Sequence, residues 1–156
     1  FTQAFACVIG HEGGLSTNPA DPGNWTGSPP GTGQCRGTKF GISARSYPDC
    51  DIPNLSLEQA QSIYRHDFWN RIGADVLPRP LALLVFDTAV NNGVGRALGW
   101  LETARKQTVN SNGAELCAEF QAQRLIFMAA LPTWKRFGAG WARRLCRLPY
   151  ESLTIQ

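Results

Sequence analysis

The groups best suited to chemistry lie in His11-Glu12-Gly13-Gly14 and, shortly after it, Asp21-Pro22-Gly23. Phe1, Phe5, Val8 and Ile9 recur at helical spacing over the first ten residues, and Gly13-Gly14 stops the helix they define. Glu12 falls in its last turn, in line with Phe5, Val8 and Ile9. A carboxylate there meets the negative end of the helix dipole and apolar neighbours, and both disfavour its charged form. A carboxyl that keeps its proton near neutral pH is suited to act as a general acid. Asp21 stands in a polar turn, where it stays ionised. Two carboxyls held in opposite protonation states form the pattern for glycoside hydrolysis: one protonates the leaving oxygen, and the other stabilises positive charge or activates water. Each also has a plainer reading, Glu12 as part of a helix end and Asp21 as a turn residue before Pro-Gly.

The elements that must position these groups follow from punctuation and periodicity. Gly and Pro crowd the segment from Gly10 to Pro53 and thin out beyond it, so a turn-rich segment precedes a helical body. Thr38 to Ser43 alternates as one short strand of a small antiparallel sheet. Ser56 and Gln59 form a capping box for a helix to about Arg71, with Ala60, Ile63, Tyr64 and Phe68 inward. Leu81 to about Asn91 is apolar nearly all round and reads as a central buried helix. Further helices are expected from about Arg96 to Lys106, with Leu98, Leu101 and Ala104 inward, and from about Ala114 to Ala130 after a turn at Asn110-Ser111-Asn112-Gly113. A last helix, capped by Thr133, turns Trp134, Phe137, Trp141 and Leu145 inward. The sum is α+β, mainly α, with a small β-sheet near the N-terminus and a helical body.

Composition excludes several classes. The 156 residues suit one domain, and a 43% hydrophobic content with five Trp and eight Phe excludes disorder as the main state. A net charge of +3 is too small for a nucleic-acid binder. No apolar run reaches the roughly 18 residues of a membrane span. The chain starts at Phe1, which leaves room for an upstream segment such as a signal peptide. Five cysteines (Cys7, Cys35, Cys50, Cys117 and Cys146) show no CxxC spacing; Cys35 and Cys50 share one irregular segment and could staple it. No HExxH or related spacing occurs, so no metal or other cofactor is expected.

The motifs taken together resemble glycoside hydrolase family 108, bacterial and phage muramidases. Glu12-Gly13-Gly14, Asp21-Pro22-Gly23 and Thr38-Lys39-Phe40-Gly41-Ile42 match its opening. The match continues through Tyr64-Arg65-His66-Asp67-Phe68-Trp69 and Leu83 to Gly93, covering roughly Phe5 to Leu101. The resemblance implies a lysozyme-like fold in one domain over residues 1–156. Residues 1–92 would be the catalytic core, and 93–156 a helical part resembling a peptidoglycan-binding region. It implies cleavage of the β-1,4 bond between N-acetylmuramic acid and N-acetylglucosamine by a Glu–Asp–Thr set.

Glu12 carries over as the general acid, and Asp21 follows with the family spacing. The threonine is open between Thr26, which keeps the linear distance from Asp21, and Thr38, which keeps the strand context; Thr38 is favoured. An extra stretch, Gly27 to Gly37, separates them. An inverting outcome is expected, for which the carboxyls should stand ~6.5–9.5 Å apart against ~5–5.5 Å in retaining enzymes. The implied partner is the peptidoglycan glycan strand, met in the bacterial periplasm or outside the cell by a monomeric phage endolysin or secreted, bacteriolytic hydrolase. A lytic transglycosylase and a non-catalytic peptidoglycan-binding protein are the alternatives.

Other residues carry weaker signals. Trp25 and Tyr47 could stack on sugar faces, with Trp69 read as core. Asn91 and Asn92 could contact N-acetyl groups or simply end their helix. Asp87, in an apolar helix, should be hydrogen-bonded if buried. His11 and His66 with a cysteine would suggest a peptidase, but no cysteine has a nucleophile context, and His66 reads as a surface residue. Lys135, Arg136, Arg143, Arg144 and Arg147 read as a solvated face of the last helix, or as a contact for an anionic cell envelope. Asn24-Trp25-Thr26 and Asn54-Leu55-Ser56 match glycosylation sequons without consequence in a bacterial or phage protein.

Overall fold

The computed structural model describes residues 1–10, 14–29, 31–109 and 113–154, without the side chains of 153 and 154. The element order is α1 (Thr2–Ile9), β1 (Thr38–Lys39), β2 (Ile42–Ser43), α2 (Leu57–Tyr64), α3 (Arg79–Asn92), α4 (Val94–Gln107), α5 (Gly113–Ala129) and α6 (Trp134–Thr154). This is the α+β, mainly helical class expected from the sequence. The Asn110–Asn112 part of the expected turn lies outside the described residues. The chain divides into two compact units, one of Thr2 with Ala4–Tyr64 and one of Phe1 and Gln3 with Arg65–Gln156.

In the first unit the stretch read as one strand is a hairpin. Thr38 pairs with Ser43 and Lys39 with Ile42, antiparallel. Phe40 and Gly41 take positive φ values of 51° and 74°, which reverses the chain in two residues with the handedness that suits strand twist. The alternation of side chains does not reveal that reversal. A Cβ on Gly41 would stand 2.5 Å from the Tyr64 hydroxyl, so only glycine fits there. That hydroxyl donates to the Phe40 carbonyl at 3.1 Å, and the Tyr64 ring meets Phe5 edge-on at 5.3 Å. Burial pushes the Tyr64 phenol up to about 12.

The capping box forms as read. The Ser56 backbone N–H donates to Gln59 Oε1 at 2.8 Å, and the Gln59 N–H donates to Ser56 Oγ at 3.1 Å. The helix it starts is shorter than expected: α2 ends at Tyr64 and a single π-helical turn, Arg65–Trp69, follows. The wider turn carries Trp69 into the core of the second unit, where its indole meets Phe1 and Phe86 edge-on and donates to Asp75 Oδ1 at 2.7 Å.

The second unit is built around α3. Leu81 to Ala89 are all buried, as a helix apolar on every side requires, and α4, α5 and α6 pack against it. The inward stripe of α4 is Ala97, Leu101 and Ala104; Leu98, expected inward, is 40% exposed because it sits about a quarter-turn off that stripe. Trp134 and Trp141 are half-buried, and Phe137 is exposed. The three rings lie against one another on the first half of α6, and the buried anchors of that helix are Leu145 and Leu148. α6 also continues through Pro149. Proline has no N–H for the carbonyl four residues back. That carbonyl, of Leu145, accepts from Gln121 Nε2 on α5 at 3.1 Å instead.

Asp87 is fully buried and hydrogen-bonded, as expected. Arg124 of α5 reaches its Oδ2 with NH1 at 2.6 Å, and Arg144 of α6 contacts it with Nε and NH2. Arg144 therefore leaves the solvated basic face assigned to it, because the carboxylate inside the bundle draws it in. Burial lowers the pKa of Arg124. It opposes the charge of Arg144 too, but there the hydrogen bonds and charge of Asp87 prevail, with help from Glu151.

Candidate active site

Asp21 takes its place from a chain of turn hydrogen bonds. The Asp21 N–H donates to the Asn18 carbonyl at 3.0 Å, and the Ala20 N–H donates to Asn18 Oδ1 at 3.0 Å. Asp21 then caps a 3-10 turn, Pro22–Asn24, its Oδ1 accepting from the Gly23 N–H at 2.9 Å. The side chain remains exposed, so a carboxylate is held at the surface by its own backbone.

The turn is fastened from within by Asn24, which is fully buried. Its N–H donates to the Asp21 carbonyl at 3.1 Å, and its own carbonyl accepts from the Gly37 N–H at 3.1 Å. Its Nδ2 donates to the Asn18 carbonyl at 3.0 Å, and its Oδ1 accepts from the Thr38 hydroxyl at 2.7 Å. Thr38 is further tied to Ser16 by a pair of backbone hydrogen bonds of 2.8 and 2.9 Å. Asp21 and Thr38, 17 positions apart in the chain, are thus mounted on one hydrogen-bonded framework. Sequence reasoning saw Asn24 only as part of a sequon. A polar residue in a polar turn gives no sign that it will be buried.

Thr26 is bonded to the far end of the inserted stretch. Its backbone N–H donates to the Gln34 carbonyl at 3.0 Å, and its hydroxyl accepts from the Gln34 N–H at 2.9 Å. With the bridge between Trp25 and Cys35, these bonds close the extra stretch into a loop that returns to the framework. Arg36 donates to the Pro48 carbonyl at 3.1 Å and Arg45 to Ser28 Oγ at 3.2 Å, which tether the loop further. The Cys35–Cys50 staple is not formed; the Cys35 thiol points instead to the Thr17 carbonyl at 3.7 Å.

Trp25 is half-buried and braced by its indole N–H, which donates to the Pro19 carbonyl at 2.9 Å. Tyr47 is half-buried in the turn after β2, its N–H on the Ser43 carbonyl at 3.0 Å. Asn91 and Asn92 belong to the other unit. Asn91 Nδ2 donates to the Asp87 carbonyl at 2.8 Å, and Asn92 Oδ1 accepts from Arg124 Nε at 2.9 Å, so Asn92 is bound into the charged cluster under α3. His66 is exposed and contacts only its neighbour Asp67, at 2.6 Å, among the contacts described. Glu12 and His11 lie outside the described residues, and the separation of Glu12 from Asp21 with them. Among the described residues no set of His, Cys, Asp or Glu side chains converges as a metal site.

The family model "Glycosyl hydrolase 108" matches residues 5–93, a span that includes Glu12, Asp21 and Thr38. No curated protein matches the chain. A solved structure described as that of Brucella abortus SagA has a similar fold: the TM-score is 0.72 at 24% identity, over 98% of this chain and 94% of that one. The element order, an N-terminal helix, a small hairpin and a helical body, is the lysozyme-like α+β arrangement that the sequence resemblance implied.

Proposed function

The chain belongs to the glycosyl hydrolase 108 family and is by that membership a glycosidase, and from this premise we propose that it hydrolyses the β-1,4 bond between N-acetylmuramic acid and N-acetylglucosamine in peptidoglycan. Glu12 gives its proton to the leaving glycosidic oxygen. Asp21 and Thr38 hold the water that attacks the anomeric carbon, and the Asp21 carboxylate accepts the proton the water releases. The outcome is inversion. The observation that supports this reading best is the Asn24 clasp, which mounts the exposed Asp21 carboxylate and the Thr38 hydroxyl on one rigid frame inside the matched segment. Such preorganisation is what a hydrolytic water needs.

Thr38 takes the catalytic threonine's place in preference to Thr26, whose hydroxyl is engaged in closing the inserted loop. Trp25 and Tyr47 offer aromatic faces to the sugars. Asn92, held by Arg124, positions α3 instead. Among the described residues no helix is long and apolar enough to cross a membrane. The enzyme acts on the bacterial wall as an endolysin or a secreted hydrolase, and wall lysis follows from loss of its glycan strands. The basic outer face of α6, with Lys135, Arg136, Arg143 and Arg147 exposed, favours contact with an anionic envelope.

Mass spectrometry of peptidoglycan fragments released by wild type and by Glu12→Gln tests the proposal. Reducing muramic ends from wild type alone are expected. Anhydro-muramic ends would make the enzyme a lytic transglycosylase, cleaved peptide bonds would move the chemistry away from Glu12, and wall binding without fragments would leave a binding protein.

A further inference from the structure

We propose that Asn24 is a positioning residue that sets the hydrogen-bond polarity of Thr38, turning its hydroxyl into an acceptor for the attacking water. The inference rests on the reading above, in which Asp21 and Thr38 hold that water.

A threonine hydroxyl has one proton to give and two lone pairs to accept with. Which of these a substrate or water meets depends on where the proton is placed. Here the Thr38 hydroxyl stands 2.7 Å from Asn24 Oδ1. The assignment of that atom as oxygen follows from the other end of the amide. The nitrogen lies 3.0 Å from the Asn18 carbonyl, and exchanging the two would set oxygen against oxygen. An amide oxygen only accepts, so the Thr38 proton is committed inward. Asn24 cannot swing away to release it, because the residue is fully buried and both its backbone groups are also bonded, to Asp21 and Gly37.

The consequence for catalysis is directional. The outward side of Thr38 Oγ1 can only accept. A water there gives one proton to Thr38 and the other toward the Asp21 carboxylate, and keeps a lone pair for the anomeric carbon. As the new C–O bond forms, the glycosidic C–O bond breaks, the leaving oxygen takes the Glu12 proton, and the water's proton passes to Asp21. Without Asn24 the Thr38 hydroxyl is free to rotate and donate to the water oxygen, which engages the lone pair the reaction needs. Binding of the glycan should not depend on this, whereas turnover should.

The test is a double-mutant cycle on turnover of soluble, peptide-free glycan strands, with Thr38→Val, Asn24→Leu and the pair, and thermal denaturation as a check of folding. Asn24→Leu is expected to lower kcat by about 10- to 100-fold, the cost of a misplaced reacting group, with little change in KM. In the Thr38→Val background the same change should cost clearly less, since the hydroxyl it orients is gone and only its side-chain hold on the Asp21 turn through the Asn18 carbonyl is lost. Asn24→Asp keeps an acceptor for the Thr38 proton but turns its second oxygen toward the Asn18 carbonyl, a contact that is favourable only while that carboxyl holds a proton, so it should retain more kcat than Asn24→Leu at acidic pH; it carries the comparison there if the leucine variant does not fold. An equal loss in both backgrounds, a loss confined to KM, or a folded Asn24→Asp as impaired at acidic pH as Asn24→Leu would overturn the proposal. If Thr38→Val lowers kcat and Asn24→Leu does not, this inference fails and the Thr38 reading stands. If Thr38→Val itself leaves kcat unchanged, both fail.

Discussion

Gln121 of α5 supplies the hydrogen bond that Pro149 takes out of α6. Its Nε2 donates to the Leu145 carbonyl, the acceptor that residue 149 would serve in an unbroken helix. A proline inside a long helix is thus tolerated because a neighbouring helix satisfies what it orphans. Replacing Gln121 by Leu strands the Leu145 carbonyl, a penalty of about 1–3 kcal/mol, less what is regained by removing Gln121 Oε1, which is buried without a hydrogen-bond partner among the described residues. In a Pro149→Ala background the restored N–H makes the side-chain bond redundant, and the cost should fall below about 1 kcal/mol. Urea denaturation of the four proteins reads both numbers; equal costs in the two backgrounds would show that Gln121 acts by packing alone.

Asp87 serves two guanidiniums, and one of them, Arg124, is 1% exposed. Asp87→Asn removes the only carboxylate contacting that buried cation among the ion pairs described. The expected loss of stability is about 3–5 kcal/mol, the usual cost of breaking a buried pair from one side. Arg124→Met should cost less, because Asp87 keeps Arg144. The order of the two denaturation midpoints checks this.

Tyr64 links stability to alkaline pH. Its phenol titrates near 10 when unfolded and at about 12 when folded. Between those values the folded state holds a proton that the unfolded state has lost, so stability falls as pH rises. The contribution is whole below pH 10 and decreases by roughly 2–3 kcal/mol by pH 12 and above. Tyr64→Phe loses the bond to Phe40, about 1 kcal/mol at neutral pH, and should flatten the decline between pH 10 and 12. Parallel urea titrations across that range would show no difference in slope if the phenol were already ionised in the fold.

Thr26 and Thr38 should separate by what they change. Thr38→Val is expected to lower kcat by at least about tenfold with the fold intact, as for loss of a group that positions a reactant. Thr26→Val unlatches the Gln34 N–H and should loosen the inserted loop, seen as faster proteolytic nicking between Gly27 and Gly37, with a smaller effect on kcat. The reverse pattern would return the catalytic role to Thr26.

The local pattern of the chain was enough for several elements, since each depends on neighbours within a few residues. The capping box of Ser56 and Gln59 and the Asp21 turn are closed by near neighbours, the apolar run of α3 marks a buried helix whatever comes to cover it, and all three appear as read. The hairpin was half-visible: the alternation of Thr38 to Ser43 was legible, but the positive φ of Phe40 was not, because a phenylalanine does not advertise a left-handed turn.

What tertiary structure alone decided is where polar side chains find partners far away in sequence. Asn24 meets Thr38 across 14 positions, Gln121 meets Leu145 across 24, and Asp87 meets Arg144 across 57. In the sequence these were a sequon, an unremarked glutamine and a residue of a basic helix face. Periodicity reports which face of a helix is apolar; it does not report that a buried carboxylate on one helix will draw an arginine inward from another, or that a threonine's proton has been claimed by an asparagine. Those outcomes follow from the cost of leaving a buried donor or acceptor unpaired, and that cost is felt only when the chain has closed around it.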